Sequence, residues 1–126
     1  MAIRVTPKND LDQLPAQEQA VVLEFVKRVN EQLNGQLRSI ILYGSRARGE
    51  ADPDSDMDIL IVLADSPSAI LEQVRAIRYE VMRHHRFRPH ISLLLLSEQD
   101  WKELSKRSAG LKRNIEQEGI VLWPPT

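Results

Sequence analysis

Two short apolar runs on either side of a polar, turn-rich segment constrain the fold of this chain more than any other feature. The runs are IILY at 40–43 and ILIVL at 59–63, and the segment between them begins with Gly44 and ends with Asp58. Runs of this length, bounded by Gly, Pro, Asp and Ser, are typical of buried strands. The sequence therefore predicts strands at Leu37–Tyr43 and Met57–Leu63. The second is apolar on both faces after Asp58, which places it at the centre of a sheet.

Segments with helical periodicity lie before and after these strands. In chain order the predicted elements are a helix between Pro15 and Gly35, the strand at Leu37–Tyr43, a short helix over 45–50, the strand at Met57–Leu63, a helix over 66–84, a strand over 90–96, a helix that starts at Ser97 with Asp100 as capping partner, a helix over 108–118 and a strand over 120–123. This alternation predicts an α/β fold with a small mixed or parallel β-sheet flanked by helices.

The composition is that of an ordinary globular domain. Of 126 residues, 42% are apolar and 28% are charged, so we expect a single domain over 1–126. The net charge of −1 favours neither direct nucleic-acid binding nor a membrane surface as partner. The absence of cysteine excludes disulfides, thiol catalysis and cysteine-based zinc sites. No apolar run is long enough to span a bilayer or to act as a signal peptide, so we expect a cytoplasmic protein.

A pair of carboxylates opens the second strand. Side chains alternate faces along a strand, so Asp56 and Asp58 point to the same side. Two carboxylates so close together repel each other unless a cation lies between them. Oxygen ligands of this kind favour Mg²⁺ or Mn²⁺, which nucleotide enzymes hold with carboxylates and substrate phosphates together. Asp56 and Asp58 are therefore the candidate metal ligands.

The turn after the first strand suits the phosphates of a nucleotide. Gly44 lets the backbone approach a ligand closely, and the Ser45 hydroxyl and the following backbone N–H groups can donate hydrogen bonds to phosphate oxygens. Either Arg46 or Arg48 can contact a phosphate, and Arg46 is preferred. The candidate nucleotide-binding residues are thus Gly44, Ser45 and Arg46.

The stretch GSRARGEADPDSDMDILIVL resembles the signature of the minimal nucleotidyltransferase family, within the DNA polymerase β-like nucleotidyltransferase superfamily. In that signature Gly-Ser is followed, after ten residues, by Asp-x-Asp. The matching positions are Gly44, Ser45, Arg46, Ala47, Arg48, Gly49, Ser55, Asp56 and Asp58. The resemblance implies a polymerase β-like palm fold and Mg²⁺-dependent transfer of a nucleoside monophosphate from an NTP to a hydroxyl, with release of pyrophosphate. It also implies that Gly44 and Ser45 bind the triphosphate and that Asp56 and Asp58 are the catalytic metal ligands.

The resemblance also suggests a partner. Small standalone members of the family act as antitoxins of all-helical HEPN-domain toxins, which they silence by adding AMP from ATP to a hydroxyl or by binding. This implies a protein acceptor and a hetero-oligomer. One alternative is a catalytically weak or inactive nucleotidyltransferase-fold module that neutralises its partner by complex formation. Another is a subunit that modifies a small molecule or RNA.

The chain departs from the family pattern on the third predicted strand. Catalytic members carry a third carboxylate on a neighbouring strand, whereas the expected face of 90–96 offers His90 and Ser92. A hydroxyl or an imidazole binds Mg²⁺ more weakly than a carboxylate does. His90 could instead act as a general base, or a carboxylate such as Glu80 could come from elsewhere.

The segment RHHRFR at 83–88 is the strongest charge cluster in the chain. It is interpreted as a solvated turn, with an acidic partner or nucleic acid as alternative contacts. Metal binding by His84 and His85 is not expected, because no carboxylate lies at ligand spacing in the sequence.

Overall fold

The computed structural model describes residues 11–50, 52, 54–65 and 67–124, and all statements about structure refer to these residues. In chain order the elements are a 3-10 turn at Leu11–Gln13, α1 (Ala16–Gln32), β1 (Leu37–Tyr43), β2 (Met57–Leu63), α2 (Ser68–His84), β3 (Ile91–Ser97), α3 (Glu98–Arg107), α4 (Ala109–Glu118) and β4 (Ile120–Trp123). None of the described helices has the length and apolarity needed to cross a membrane.

The four strands form one mixed sheet in the order β3-β2-β1-β4. β1 pairs antiparallel with both β2 and β4, and β2 pairs parallel with β3. A parallel pair needs a long crossover, which α2 supplies between β2 and β3. The predicted α/β class is confirmed, and β2 has strands on both sides as its apolar sequence predicted.

Helices cover both faces of the sheet, because the strands are apolar on both faces. α1 and α2 pack together on one face, and α3 and α4 pack on the other. The first core includes Val22, Phe25, Val29, Ile40, Ile59, Ile61, Val74, Ile77 and Val81. The second core includes Ile41, Leu60, Val62, Trp101, Leu104 and Ile115. The alternation of Ile59, Leu60 and Ile61 between the two cores is the strand period of two residues.

Most predicted boundaries agree with the structure to within a residue or two. β1 and β2 have their predicted bounds, whereas β3 begins and ends one residue later than 90–96. α3 begins after Ser97, whose hydroxyl oxygen accepts a hydrogen bond from the Asp100 N–H at 3.0 Å. α2 begins at Ser68, and Ser66, with which its prediction began, lies outside the described residues.

The short helix predicted over 45–50 is wrong. This segment is a turn whose hydrogen bonds have three different spacings: from Arg48 N–H to the Gly44 carbonyl, from Gly49 N–H to the Arg46 carbonyl, and from Glu50 N–H to the Ser45 carbonyl. Gly49 has a φ of +74°, which leaves the helical region. The turn is therefore compact without being a regular helix.

Gly119, between α4 and β4, is expected to tolerate no side chain. A Cβ there would meet the Ile115 carbonyl oxygen and the Ile41 side chain, whereas a Cβ at Gly110 in α4 would meet nothing. Gly119→Ala should lose about 2 kcal/mol of unfolding free energy through overpacking. Gly110→Ala should gain up to about 1 kcal/mol through helix propensity. Urea denaturation of both variants tests the pair, and equal effects would contradict this packing.

Candidate functional site

The predicted site residues meet where β1 ends and β2 begins. Tyr43, the last residue of β1, is the register partner of Asp58, and Asp58 is also the partner of Ser92 on β3. Gly44 directly follows Tyr43, so the Gly-Ser turn and the Asp pair share one end of the sheet. The structure thus brings together two sequence segments that lie more than ten residues apart.

Gly44 and Asp58 are in direct apposition. Gly44 has a φ of +78°, and a Cβ built on it would overlap a carboxylate oxygen of Asp58 and lie 3.3 Å from its Cγ. The Asp58 carboxylate therefore fills the space that any other residue at position 44 would need. Sequence reasoning assigned the glycine to close approach of a ligand, and the structure adds close approach of the second carboxylate.

The two carboxylates have unlike surroundings. Burial, followed by the negative charge of Asp56, raises the pKa of Asp58, and the positive charges of Arg46 and Arg48 oppose this rise. The side chain of Asp56 is 53% exposed. A divalent cation between the two carboxylates would relieve their repulsion, and their oxygens are the ligands that Mg²⁺ and Mn²⁺ prefer. This donor set fits the metal that the sequence pattern implies.

Arg46 is buried and joins three parts of the chain. Its guanidinium forms an ion pair with Glu18 of α1 and donates a hydrogen bond to the Ser55 carbonyl, just before β2. Its side chain is 5% exposed, and its Nε has no hydrogen-bond partner among the described residues. Sequence spacing did not reveal Glu18 as a part of the site, because that contact spans 28 residues.

Arg48, the alternative arginine of the turn, lies at the surface. Its guanidinium contacts Glu50 and Glu118, each at 3.0 Å. The hydrogen bonds within the turn use the N–H groups of residues 48–50. The N–H groups of Ser45, Arg46 and Ala47 are not used by these turn bonds.

Ser92 and His90 lie near the Asp pair, where a third carboxylate was expected. Ser92 lies beside Asp58 in the parallel ladder, and His90 Nδ1 is 3.6 Å from Asp56 Oδ1. Glu80 instead forms an ion pair with Arg83 on the surface of α2. Within the described chain, no cluster of three or more histidine and acidic side chains is placed to hold a metal. The Asp pair is therefore accompanied here by a hydroxyl and an imidazole.

A cavity of about 460 Å³ adjoins Asp56 on the side of α1 and the segment before β3. Its walls mix both signs of charge with one aromatic ring. The lining residues are Gln17, Glu18, Arg46, Asp54, Ser55, Asp56, Phe87, Arg88, Pro89 and His90. The cavity connects the first carboxylate to the basic segment that sequence reasoning interpreted as a solvated turn.

Glu24 of α1 anchors the end of α2. Its carboxylate is 3.0 Å from His84 Nδ1, 3.1 Å from His85 Nε2 and 3.0 Å from Arg28 Nε. Burial acts to raise the pKa of Glu24, but hydrogen bonds from His85 and His84 lower it below its usual value. The structure thus places beside both histidines a carboxylate that their sequence neighbours do not provide.

Gly44→Ala is expected to cost more than Gly35→Ala. Gly35 has a φ of +95° with nothing near its Cβ position, so alanine there meets only left-handed backbone strain, about 1 kcal/mol. At Gly44 the overlap with Asp58 should bring the total loss to about 3 kcal/mol of unfolding free energy. Adding Asp58→Ala to Gly44→Ala should recover most of the difference. Urea denaturation of the three variants measures this, and equal costs at the two glycines would contradict the close approach.

Asp58→Asn is expected to stabilise the metal-free protein at neutral pH. Because the pKa of Asp58 is raised in the folded state, its contribution to stability is full below the unfolded pKa of about 4 and is lost as pH rises through the folded pKa. The gain should be small, about 0.5 kcal/mol at pH 7, since solvent screens a partly exposed charge. Urea denaturation in EDTA between pH 3 and 8 measures it. A variant less stable than wild type at pH 7 would refute the repulsion.

A model of the family described as Nucleotidyltransferase domain matches residues 22–122. The chain is similar to two candidate protein adenylyltransferases of Methanocaldococcus jannaschii. One is 40% identical over 48 residues, which are 38% of this chain and 48% of the relative. The other is 32% identical over 78 residues, which are 61% of this chain and 53% of the relative. The chain thus spans about half the length of these relatives.

Among solved structures, the chain is similar to the crystal structure of a toxin–antitoxin with AMP-PNP. The TM-score is 0.48 at 20% identity, and the likeness covers 81% of this chain and 73% of that one. The match to the family model extends from α1 to β4, and the matched residues include the Gly-Ser turn and the Asp pair. The chain belongs to the nucleotidyltransferase domain family, as its resemblance to the family signature at Gly44, Ser45, Asp56 and Asp58 implied.

Proposed function

We propose that this chain transfers AMP from ATP to a hydroxyl of a partner protein, in a reaction that depends on Mg²⁺ or Mn²⁺. The observation that carries the proposal is the Asp56–Asp58 pair held beside Gly44 at one end of the sheet. Two carboxylates in mutual repulsion next to a glycine turn provide a cation site beside a phosphate site. Membership of the nucleotidyltransferase domain family supports the same chemistry.

In the proposed complex the turn binds the triphosphate. The Ser45 hydroxyl and the N–H groups of residues 45–47 would donate hydrogen bonds to phosphate oxygens, and Gly44 keeps the backbone free of a side chain there. Arg46 would add positive charge from its buried place between Glu18 and Ser55. Asp56 and Asp58 would hold the divalent cations, which neutralise charge on the phosphates when bound.

The proposed reaction is an in-line displacement at the α-phosphorus of ATP. The acceptor oxygen forms a new bond to that phosphorus while the bond from phosphorus to the bridging oxygen breaks, and pyrophosphate leaves. The hydroxyl proton passes to water or to a base near Asp56. His90 is the candidate for that role, and the distance of 3.6 Å from its Nδ1 to Asp56 Oδ1 supports it.

A protein acceptor is supported by the names of the relatives, which are candidate protein adenylyltransferases. The resemblance to small antitoxins suggests that the acceptor is an all-helical HEPN-domain toxin and that the two proteins form a hetero-oligomer in the cytoplasm. In this proposal the chain is the antitoxin, and modification of the toxin hydroxyl silences it.

Transfer is expected to require both carboxylates. With labelled ATP, Mg²⁺ and the product of the neighbouring gene as acceptor, Asp56→Asn and Asp58→Asn should each reduce labelling about 100-fold or more, because the charge that holds the cations is lost. Asp65→Asn is the matched control, because Asp65 is an exposed carboxylate just after β2. EDTA should stop the reaction and Mn²⁺ should restore it. Undiminished labelling by the two site variants would contradict the proposal.

A second candidate, a binding module with weak or no catalysis, is favoured by one observation. Ser92 rather than a carboxylate lies beside Asp58 in the ladder. This candidate predicts that the Asp56→Ala, Asp58→Ala double variant still neutralises the toxic activity of the partner. The enzyme proposal predicts loss of neutralisation while the complex still forms.

A further inference from the structure

The last turns of α2 and the turn that follows it expose two aromatic rings next to each other. The side chains of Tyr79 and Phe87 are 55% and 47% exposed, and their ring centroids are 5.8 Å apart in an edge-to-face arrangement. Single exposed apolar residues are ordinary, but large aromatic residues gathered at one place are typical of protein interfaces. A partner that covers this pair would therefore remove apolar surface from water, which favours binding.

The backbone of the turn that carries Phe87 is strained. Arg86 and Phe87 both have a φ of +58°, a left-handed conformation that is unfavourable for large side chains and easy for glycine. The turn is fixed by hydrogen bonds from Phe87 N–H to the Met82 carbonyl at 2.6 Å and from Arg88 N–H to the His85 carbonyl at 3.2 Å. Such strain persists where the surrounding structure enforces it, and it is concentrated at binding sites.

The same region is strongly basic. Residues 75–90 contain five arginines and all three histidines of the chain, with Glu80 as the one acidic residue, although the whole chain has a net charge of −1. Glu80 is paired with Arg83. Arg86 and Arg88 are exposed beside Phe87. An apolar centre with a cationic rim is complementary to an apolar side chain flanked by carboxylates.

This surface leads into the candidate active site. Phe87, Arg88 and His90 line the same cavity as Asp56. A partner seated on the turn would thus have a hydroxyl within reach of the first carboxylate. Glu18 and Asp54 also line the cavity. These negative charges disfavour the continuous phosphates of a nucleic acid and tolerate the separate carboxylates of a protein.

We propose that Tyr79, Arg83, Arg86, Phe87 and Arg88, at the end of α2 and in the turn after it, form an acceptor-docking surface, which binds an acidic segment of the acceptor protein around one apolar or aromatic side chain. This proposal rests on the proposed function for the identity of the partner as an acceptor. The binding itself needs neither nucleotide nor metal, which allows the two proposals to fail separately.

The test measures binding of a fluorescent random Glu–Tyr copolymer to the full chain by anisotropy, without nucleotide. This probe supplies carboxylates, aromatic rings and hydroxyls together. Arg86→Glu, Arg88→Glu and Phe87→Ala are each expected to weaken binding about tenfold. Arg113→Glu is the matched control, because this exposed arginine lies on α4, which packs on the face of the sheet opposite α2, and should change binding less than about twofold. Affinity should fall as salt rises.

A strain-relieving variant separates lost docking from lost folding. Arg86→Gly removes the charge and also relieves the left-handed backbone, so its unfolding midpoint should equal or exceed that of wild type while copolymer binding weakens. Weak binding by a variant this stable supports a direct contact. Wild-type affinity in Arg86→Gly, Arg86→Glu and Phe87→Ala would overturn the proposal.

Two further probes identify the class of partner. A Lys–Tyr copolymer should bind at least tenfold more weakly than the Glu–Tyr copolymer, and single-stranded RNA should not compete with it. Equal binding of the two copolymers, competition by RNA, or no binding of the Glu–Tyr copolymer at low salt would overturn the proposal. Binding of the copolymer without transfer of AMP to it or to the HEPN-domain protein would instead count against the proposed function alone.

Discussion

The carboxylate of Asp58 lies where a side chain of residue 44 would begin, and this contact joins the end of β1 to the start of β2. It explains in one step why a glycine follows the first strand and why the second carboxylate faces the turn. The contact also places Asp58 next to Asp56 in a partly buried setting that raises the pKa of Asp58. The fold thereby holds two negative charges together where a cation would stabilise both.

Charged groups fix the loops around this contact, together with the apolar packing of Ala47 in the first core. Buried Arg46 joins the turn to Glu18 of α1 and to the Ser55 carbonyl, and Arg48 joins the turn to Glu118 of α4. Helices from both faces of the sheet therefore hold the turn over 44–50 at the end of β1. Glu24 of α1 fixes the end of α2 in the same way. It contacts His84 and His85, where the chain leaves the helix and turns toward the cavity.

The elements with strong local patterns could be predicted from the sequence. β1 and β2 have their predicted bounds because their apolar runs indicate strands, and the Gly and Asp residues next to these runs indicate where the strands end or begin. The spacing between the Gly-Ser pair and the Asp pair indicated that the two pairs share one site. The contacts of Glu18 with Arg46 and of Glu24 with His84 and His85 could not be predicted, since they join residues 28 to 61 positions apart and no periodicity encodes them. The helix predicted over 45–50 was wrong for two reasons. Arg46 is held by its contact with Glu18 of α1, and Gly49 has a left-handed backbone conformation that ends any helix. The parallel register that sets Ser92 beside Asp58 also needed the structure.

The most direct test of the central claim is a crystal structure of the protein with Mn²⁺ and a non-hydrolysable ATP analogue, with the metal located by its anomalous scattering. The account predicts a manganese peak bound by both Asp56 and Asp58, with the triphosphate against Gly44 and Ser45. A nucleotide bound away from this end of the sheet, or Mn²⁺ bound without either carboxylate, would contradict the account.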